Sequence, residues 1–230
     1  MPNEFKGLKP AALKFFKDLA QNNNKEWFTE NKHIYENEVK EPLKAMVSEL
    51  GVLFANEGLS IIADPKKAMF RINRDIRFSP DKSPYKTHAG VFLPYTLSQT
   101  NVKPVESLGL YYHFEPAESF IAAGIHSPLP PILKSLREHI AENWQEFDKI
   151  INLKSLKKEF PTIYESGSLK TMPRGFPSDH PAGKYLKMKE FTVFCEIQHK
   201  NSYSPELTKL MITKARAAKP FMDFLLSGIK

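Results

Sequence analysis

The chain of 230 residues contains a single cysteine and no long apolar run, and each scarcity excludes a class of protein. With only Cys195, the chain cannot form an internal disulfide or a zinc cage of thiolates. No apolar run approaches the roughly 18–20 residues of a membrane helix. Residues 1–20 are amphipathic and lack the apolar core and cleavage site of a signal peptide. We therefore expect a cytoplasmic protein that has no membrane segment.

Standard catalytic and nucleotide-binding motifs are also missing. There is no P-loop, no G-x-G-x-x-G turn and no G-x-S-x-G nucleophile elbow, which argues against nucleotides held in either standard way and against that type of serine catalysis. Cys195 lies inside the apolar segment FTVFCEIQ, where inert packing is expected. The sequence predicts no cofactor.

Histidines and carboxylates give only a weak metal signal. His113 and Glu115 share a strand face in YYHFEP, and His88 and His126 lie in neighbouring strand-like stretches. Nothing resembles H-E-x-x-H or a ladder of cysteines and histidines. We expect hydrogen-bonded strand histidines, and the sequence predicts no metal site.

The hydrophobic pattern indicates an α+β protein. The chain is 41% hydrophobic and 26% charged, as folded proteins are. Helical periods occur over residues 8–23, 25–39, 41–58, 130–151 and 207–226. Short apolar, β-branched or aromatic runs that predict strands occur over residues 60–64, 89–95, 108–116, 119–125 and 191–198. We predict one domain over residues 1–230, with a mostly antiparallel sheet flanked by N-terminal helices, one central helix and a C-terminal helix.

Positive charge is concentrated in one segment. Residues 66–88 hold seven lysines and arginines and two aspartates, so this basic segment carries +5 of the net charge of +7. A local positive field indicates a defined anionic partner more than general solubility.

The stretch FRINRDIRF, residues 70–78, alternates in a way that favours a strand. Its odd-numbered residues are polar, whereas one face would carry Phe70, Ile72, Arg74, Ile76 and Phe78. A helix would instead align Met69, Ile72 and Ile76. The Ser-Pro-Asp turn that follows favours the strand, with its mostly apolar face toward the core.

On that strand, Arg71 and Arg77 flank Asp75, which can hold one guanidinium and leave the fork of the other free for a carboxylate or phosphate. Arg74 is expected to pack its stem and pair its head with a carboxylate. A purely structural interpretation stays open beside this one, in which the arginines form ion pairs that pin a loop.

Three stretches resemble one known family. FRINRDIRFSPDKSPYKTHAG resembles the signature F-R-x-x-R-D-x-R-F-S-x-D-K-x-P-Y-K-T of the bacterial and fungal "domain of unknown function 2461" family, from Phe70 to Thr87. NNNKEWFTENKHIYENEV and LKTMPRGFPSDHPAGKYLKMKEF resemble two further segments of that family. The family name assigns no activity, so the resemblance implies no catalytic residue. It does highlight polar residues in all three segments, which we expect to converge on one pocket.

We predict an anion-binding site whose members are Arg71, Arg74, Asp75, Arg77, Asp81, Lys82, Tyr85, Lys86, Arg174 and His180. The resemblance also highlights Asn31, Lys32, Tyr35 and Asp179. The expected ligand is a small phosphorylated or carboxylated molecule. Nucleic acid and an acidic peptide are the alternative partners, because a basic cluster with interleaved aromatics suits both. The sequence does not establish that the protein is an enzyme. If it is one, Asp75, Asp81 and His180 are the candidates for proton transfer.

Overall fold

A computed structural model describes residues 4–96, 107–165 and 167–229. Its centre is a five-stranded sheet with the strand order β1-β2-β3-β5-β4, in which every neighbouring pair is antiparallel. The strands are β1 Ala89–Pro94, β2 Leu108–Phe114, β3 Ser119–Ile125, β4 Thr162–Ile163 and β5 Phe191–Glu196. The predicted α+β class with an antiparallel sheet is confirmed.

Helices precede, interrupt and follow the sheet. The N-terminal group is α1 Pro10–Gln21, α2 Lys25–Ile34, a π-helical segment Tyr35–Lys40 and α3 Glu41–Asn56. The others are α4 Pro130–Glu142, α5 Trp144–Ile151, α6 Lys154–Glu159, α7 Gly183–Leu186, α8 His199–Ser202 and α9 Leu207–Ser227. In the described part of the chain, no helix has both the length and the apolar character required to cross a membrane.

Local sequence signals explain where the N-terminal helices begin and end. The Asn24 side chain accepts a hydrogen bond of 2.9 Å from the backbone N–H of Trp27, which caps α2. Pro42 lies in the first turn of α3, directly after the π-helical segment, where the helical hydrogen bonding changes from one type to the other. Gly58 follows α3 with a φ of +61°, a conformation that glycine adopts without steric cost.

One face of the sheet packs against α9 and forms the centre of the core. Leu110, Tyr112 and Phe114 of β2 are fully buried, as are Met211 and Phe221 of α9. The long C-terminal helix contacts β2 and β3 along its length. Because successive residues of a strand point to opposite faces, the other face of β2 is left to Tyr111 and His113.

Two predicted elements outside residues 70–78 differ from those observed. The predicted central helix over residues 130–151 is divided into α4 and α5 at Asn143, whose backbone leaves the helical region with φ of −121° and ψ of 35°. The Asn143 side chain donates a hydrogen bond of 3.0 Å to the carbonyl of His139, which also accepts from the Asn143 backbone N–H. The predicted strand over residues 60–64 forms only an isolated bridge from Ile61 to Tyr95. Cys195 is buried and unpaired, as expected from its apolar strand.

A core test follows from Phe147, which is fully buried and contacts the rings of Tyr185, Phe191, Phe221 and Phe224. Phe147→Ala is expected to lower the free energy of unfolding by about 3–5 kcal/mol, because it removes apolar contact and leaves a cavity. Urea denaturation followed by circular dichroism measures the change. Phe78→Ala is the matched control, since that ring is 92% exposed. A loss in the control as large as that in Phe147→Ala would contradict this picture of the core.

Candidate functional site

Residues 70–78 do not form the predicted strand. They run as an irregular loop whose pairing is limited to isolated bridges from Met69 to Val91 and from Asn73 to Tyr85. The predicted burial of the even-numbered face is wrong in part: Ile72 is buried, but Phe70 is 49% exposed and Phe78 is 92% exposed.

Short-range hydrogen bonds that aspartate side chains accept from the backbone explain why residues 70–78 form a loop and not a strand. The Asp75 carboxylate accepts from the backbone N–H of Arg77, and the Asp81 carboxylate accepts from the backbone N–H of Ser83 at 2.9 Å. Such local bonds turn the chain and compete with a strand ladder. Pro80 and Pro84 have no N–H to contribute to a ladder.

The tip of this loop is held by ion pairs within it. The guanidinium of Arg77 donates to both oxygens of Asp75, at 3.0 and 2.6 Å, and these bonds lower the pKa of the carboxyl. The guanidinium of Arg74 pairs with Asp81, whose pKa is lowered first by the Ser83 hydroxyl and then by Arg74. Asp75 thus holds one guanidinium, as predicted, and Arg74 pairs with the carboxylate of Asp81. The two ion pairs, Arg77–Asp75 and Arg74–Asp81, have a structural role because they stabilise the loop.

Two predicted lysines also contact the segment itself. The ammonium of Lys82 donates to the carbonyl of Ile76 at 2.9 Å. The ammonium of Lys86 lies 5.3 Å from the centre of the Phe70 ring, within the range of a cation–π contact. Burial, and then the charge of Arg71, lower the pKa of Lys86.

Tyr85 fastens the basic segment to the N-terminal helices. Its ring is stacked on Phe28 with 4.1 Å between centroids. Its backbone N–H and carbonyl both bond to the side-chain amide of Asn23, at 3.0 and 2.9 Å. These contacts join two of the three segments that the family resemblance highlights.

A cleft of about 520 Å³ opens where those two segments meet, and we call it the cationic cleft. Its wall contains six cationic side chains and one carboxylate, which are Lys25, Lys32, Lys40, Lys44, Lys66, Arg71 and Glu36. Phe28, Tyr35, Phe70, Ile72 and Tyr85 supply its aromatic and apolar surface. Of the ten predicted site residues, Arg71 and Tyr85 line this cleft.

The cationic side chains of the cleft differ in how they are paired. Lys40 bonds to Glu36 and Lys44 to Glu41, each at 2.7 Å. Over residues 4–96, 107–165 and 167–229, no carboxylate lies within ion-pair distance of the four others, which are Lys25, Lys32, Lys66 and Arg71. The sequence highlighted Lys32 through the family resemblance and placed Lys66 in the basic segment. It did not single out Lys25, Lys40 and Lys44, because these lysines are spread over the N-terminal helices and do not form a run of charge.

The π-helical segment brings lysines from two helices to one side. Lys32, Lys40 and Lys44 are separated by multiples of four residues. In a regular α-helix each four-residue step advances about 40° beyond a full turn, so such a row winds around the helix. The wider π turns between α2 and α3 rotate less per residue and offset that drift. All three lysines therefore line the same cleft.

The third segment that the family resemblance highlights, residues 169–191, does not line the cationic cleft. Arg174 is exposed in a turn, and His180 accepts a hydrogen bond of 3.1 Å from the backbone N–H of Ala182. Neither side chain lines the cationic cleft. Within the described residues, no hydrogen bond or ion pair connects them to residues 70–88. The convergence of all three segments is not seen in this cleft.

A second cluster of polar side chains lies at the edge of the sheet next to the basic segment. One nitrogen from each of His88 and His113 and one oxygen of Glu115 all lie within 4.8 Å of one another. The pairing of Ala89 with Phe114 and of Gly90 with His113 brings these side chains together. The alternation of residues in the sequence placed His113 and Glu115 on one strand face. The strand register that places His88 next to them cannot be predicted from the spacing of residues in the sequence.

We call His88, His113 and Glu115 the histidine cluster. Burial lowers the pKa of both of its imidazoles. Burial lowers the pKa of His113 to about 4. Burial and the neighbouring His113 lower the pKa of His88 to about 4, and Lys86 and Arg74 act in the same direction. The hydroxyl oxygen of Tyr111 lies 2.9 Å from Nδ1 of His113. Near neutral pH both imidazoles are therefore uncharged.

Comparison with known protein families agrees with the motifs in the sequence. The model of the family described as conserved hypothetical protein (DUF2461) matches residues 11–224, nearly the whole chain. The chain belongs to this family. No curated protein and no solved structure matches it. The family description assigns no activity.

The attachment of the basic segment can be tested at Asn23. Asn23→Ala removes both hydrogen bonds to the Tyr85 backbone and is expected to lower the free energy of unfolding by about 1–3 kcal/mol, because partly buried backbone groups lose their partners. Limited proteolysis should also cut residues 74–83 faster. Asn22→Ala is the control, since its side chain bonds only to the exposed end of α1 at the Asp18 carbonyl. Equal proteolysis of both variants would contradict the attachment.

Proposed function

We propose that this protein binds a small phosphorylated or carboxylated molecule in the cationic cleft. One observation carries the proposal: four cationic side chains around a cavity of about 520 Å³ have no carboxylate partner among the described residues. Like charges that face one space repel each other, and a bound anion relieves that repulsion. The charges of Lys25, Lys32, Lys66 and Arg71 support an anionic occupant.

The size and surface of the cleft support a small molecule as that occupant. Ligand pockets in proteins range over roughly 300–1,000 Å³ and combine apolar walls with a few polar groups. The rings of Phe28, Tyr35 and Tyr85 provide such a wall. Arg71 offers a planar fork for two oxygens, while the lysines act as point charges. A ligand with one or two anionic groups on an apolar or ring-shaped body matches this surface.

The same geometry argues against nucleic acid as the main partner. Single-strand binding combines a groove with aromatic rings that are free to stack on bases. Phe28 and Tyr85 are buried and stacked on each other. The most exposed ring of the basic segment is Phe78, which lies next to Arg77 and does not line the cleft. Phe70 does line the cleft, but its ring is about half-exposed and already has the Lys86 ammonium over it. The cleft therefore offers little aromatic surface that is free to stack on successive bases.

We expect the affinity for the ligand to depend on Arg71 and Lys32. Wild-type protein is screened by thermal shift at low salt against inorganic phosphate, sugar phosphates, nucleotides, dicarboxylates and short oligonucleotides. Binding to the native state alone must raise the melting temperature. Calorimetry then measures the dissociation constant of the best compound. Arg71→Ala and Lys32→Ala are each expected to weaken it by about 10–100-fold, the value of a charge-assisted hydrogen bond.

Arg77→Ala is the matched control for charge. Its guanidinium is held by Asp75, so the variant loses the same formal charge from the same segment but is expected to bind like wild type. Loss of binding in Arg77→Ala, with binding kept in Arg71→Ala, would move the site to the loop tip and overturn the cleft. A response only to oligonucleotides, falling steeply with salt, would replace the proposal with nucleic-acid binding.

A further inference from the structure

The histidine cluster was not expected from the sequence, which predicted no metal site. We infer that His88, His113 and Glu115 form a binding site for a divalent transition-metal ion. The inference is independent of the cationic cleft, because none of these three side chains lines it.

Donor spacing is the first argument. Two donors that each lie about 2.1 Å from a tetrahedral ion are about 3.4 Å apart. Nε2 of His113 is 3.6 Å from Oε1 of Glu115. That separation is longer than a hydrogen bond and close to the separation of two donors on one ion. The whole cluster fits within 4.8 Å, so small side-chain rotations bring three donors to a common point.

The orientation of His113 is the second argument. Its Nδ1 lies 2.9 Å from the hydroxyl oxygen of Tyr111, and its ring is stacked on Phe120 with 4.6 Å between centroids and planes 10° apart. When Nδ1–H donates to the tyrosine oxygen, Nε2 keeps its lone pair and points toward Glu115. Histidine ligands in metal sites usually have their other ring nitrogen engaged in this way. Stacking thus fixes the plane of the ring, and the tautomer that carries Nδ1–H suits a ligand.

The donor set indicates the class of ion. Two imidazoles and one carboxylate occur in zinc sites that keep an open position and in non-haem iron sites. The centroids of His88 and His113 are 4.6 Å apart, so the ring from the residue before β1 and the ring from β2 approach the same space. Hard ions such as Mg²⁺ and Ca²⁺ prefer oxygen donors, so we assign the site to Zn²⁺, Fe²⁺ or an ion of that type. Three protein donors leave coordination positions for water or an exogenous ligand.

Cobalt binding tests the site directly. Untagged protein is freed of metal with a chelator and titrated with Co²⁺ in a buffer without phosphate or carboxylate, while the visible ligand-field absorption is recorded. We expect one Co²⁺ per chain, displaced by Zn²⁺, and a higher melting temperature with Zn²⁺. Glu115→Gln and His88→Asn should abolish the absorption, and Tyr111→Phe should weaken binding by about 10–100-fold.

Two matched controls keep the test specific. Glu118→Gln changes an exposed carboxylate whose own carbonyl accepts from the Glu115 N–H, and His126→Ala changes an exposed histidine that pairs with Glu190. Both should bind Co²⁺ like wild type. The ligand variants are made at the two less buried members, because loss of the buried His113 can unfold the protein, and circular dichroism checks each fold.

Absence of stoichiometric Co²⁺ binding to folded wild-type protein would overturn the inference. Unchanged binding in Glu115→Gln and His88→Asn would do the same, and so would a loss of the absorption in His126→Ala with both ligand variants intact. In each of these cases the histidines serve packing and hydrogen bonding alone.

Discussion

The register of the antiparallel sheet is the constraint on which the rest of the structure depends. Leu110, Tyr112 and Phe114 of β2 are buried on the face that packs against α9. Their burial fixes the pairing of β2 with its neighbours, because a slip of one residue would turn all three to the opposite face. The same register sends Tyr111 and His113 to the face beside the basic segment. The burial of apolar side chains on one face of the sheet therefore determines where Tyr111 and His113 lie on the other face.

The basic segment depends on this sheet and on the N-terminal helices because it forms no regular element itself. Its backbone is attached at Met69 to β1 and at Tyr85 to Asn23. Between these attachments the charges divide into two groups. At the tip, arginines and aspartates neutralise each other, whereas Arg71 near the base joins unpaired lysines from the helices. The ion-pair interpretation left open by the sequence thus describes the tip of the segment, whereas anion binding stays a proposal for its base.

Sequence reasoning succeeded where one local force decides the outcome. Hydrophobic periodicity located β1, β2, β3 and β5 but not the two-residue β4, and Asn24 identified the start of α2. It failed over residues 70–78, where the alternating pattern was real but aspartate side chains turned the backbone instead. The placement of Lys25, Lys40 and Lys44 around the cleft and the meeting of His88 with Glu115 could not be predicted, for a different reason. Both depend on packing and strand register, which bring together residues far apart in the chain.

The π-helical segment between α2 and α3 gives this protein a place where the helix can change length. A π turn holds about one residue more than an α turn, so losing one residue within Tyr35–Lys40 converts the segment to α-helix while α2 and α3 keep their relative rotation. Leu43 and Val47 of α3 would still face the core, and Lys44 would still face the cleft. A gain or loss of one residue inside α3 would instead rotate the rest of that helix by about 100°. Related sequences that keep the cleft should therefore place any difference in helix length within this segment.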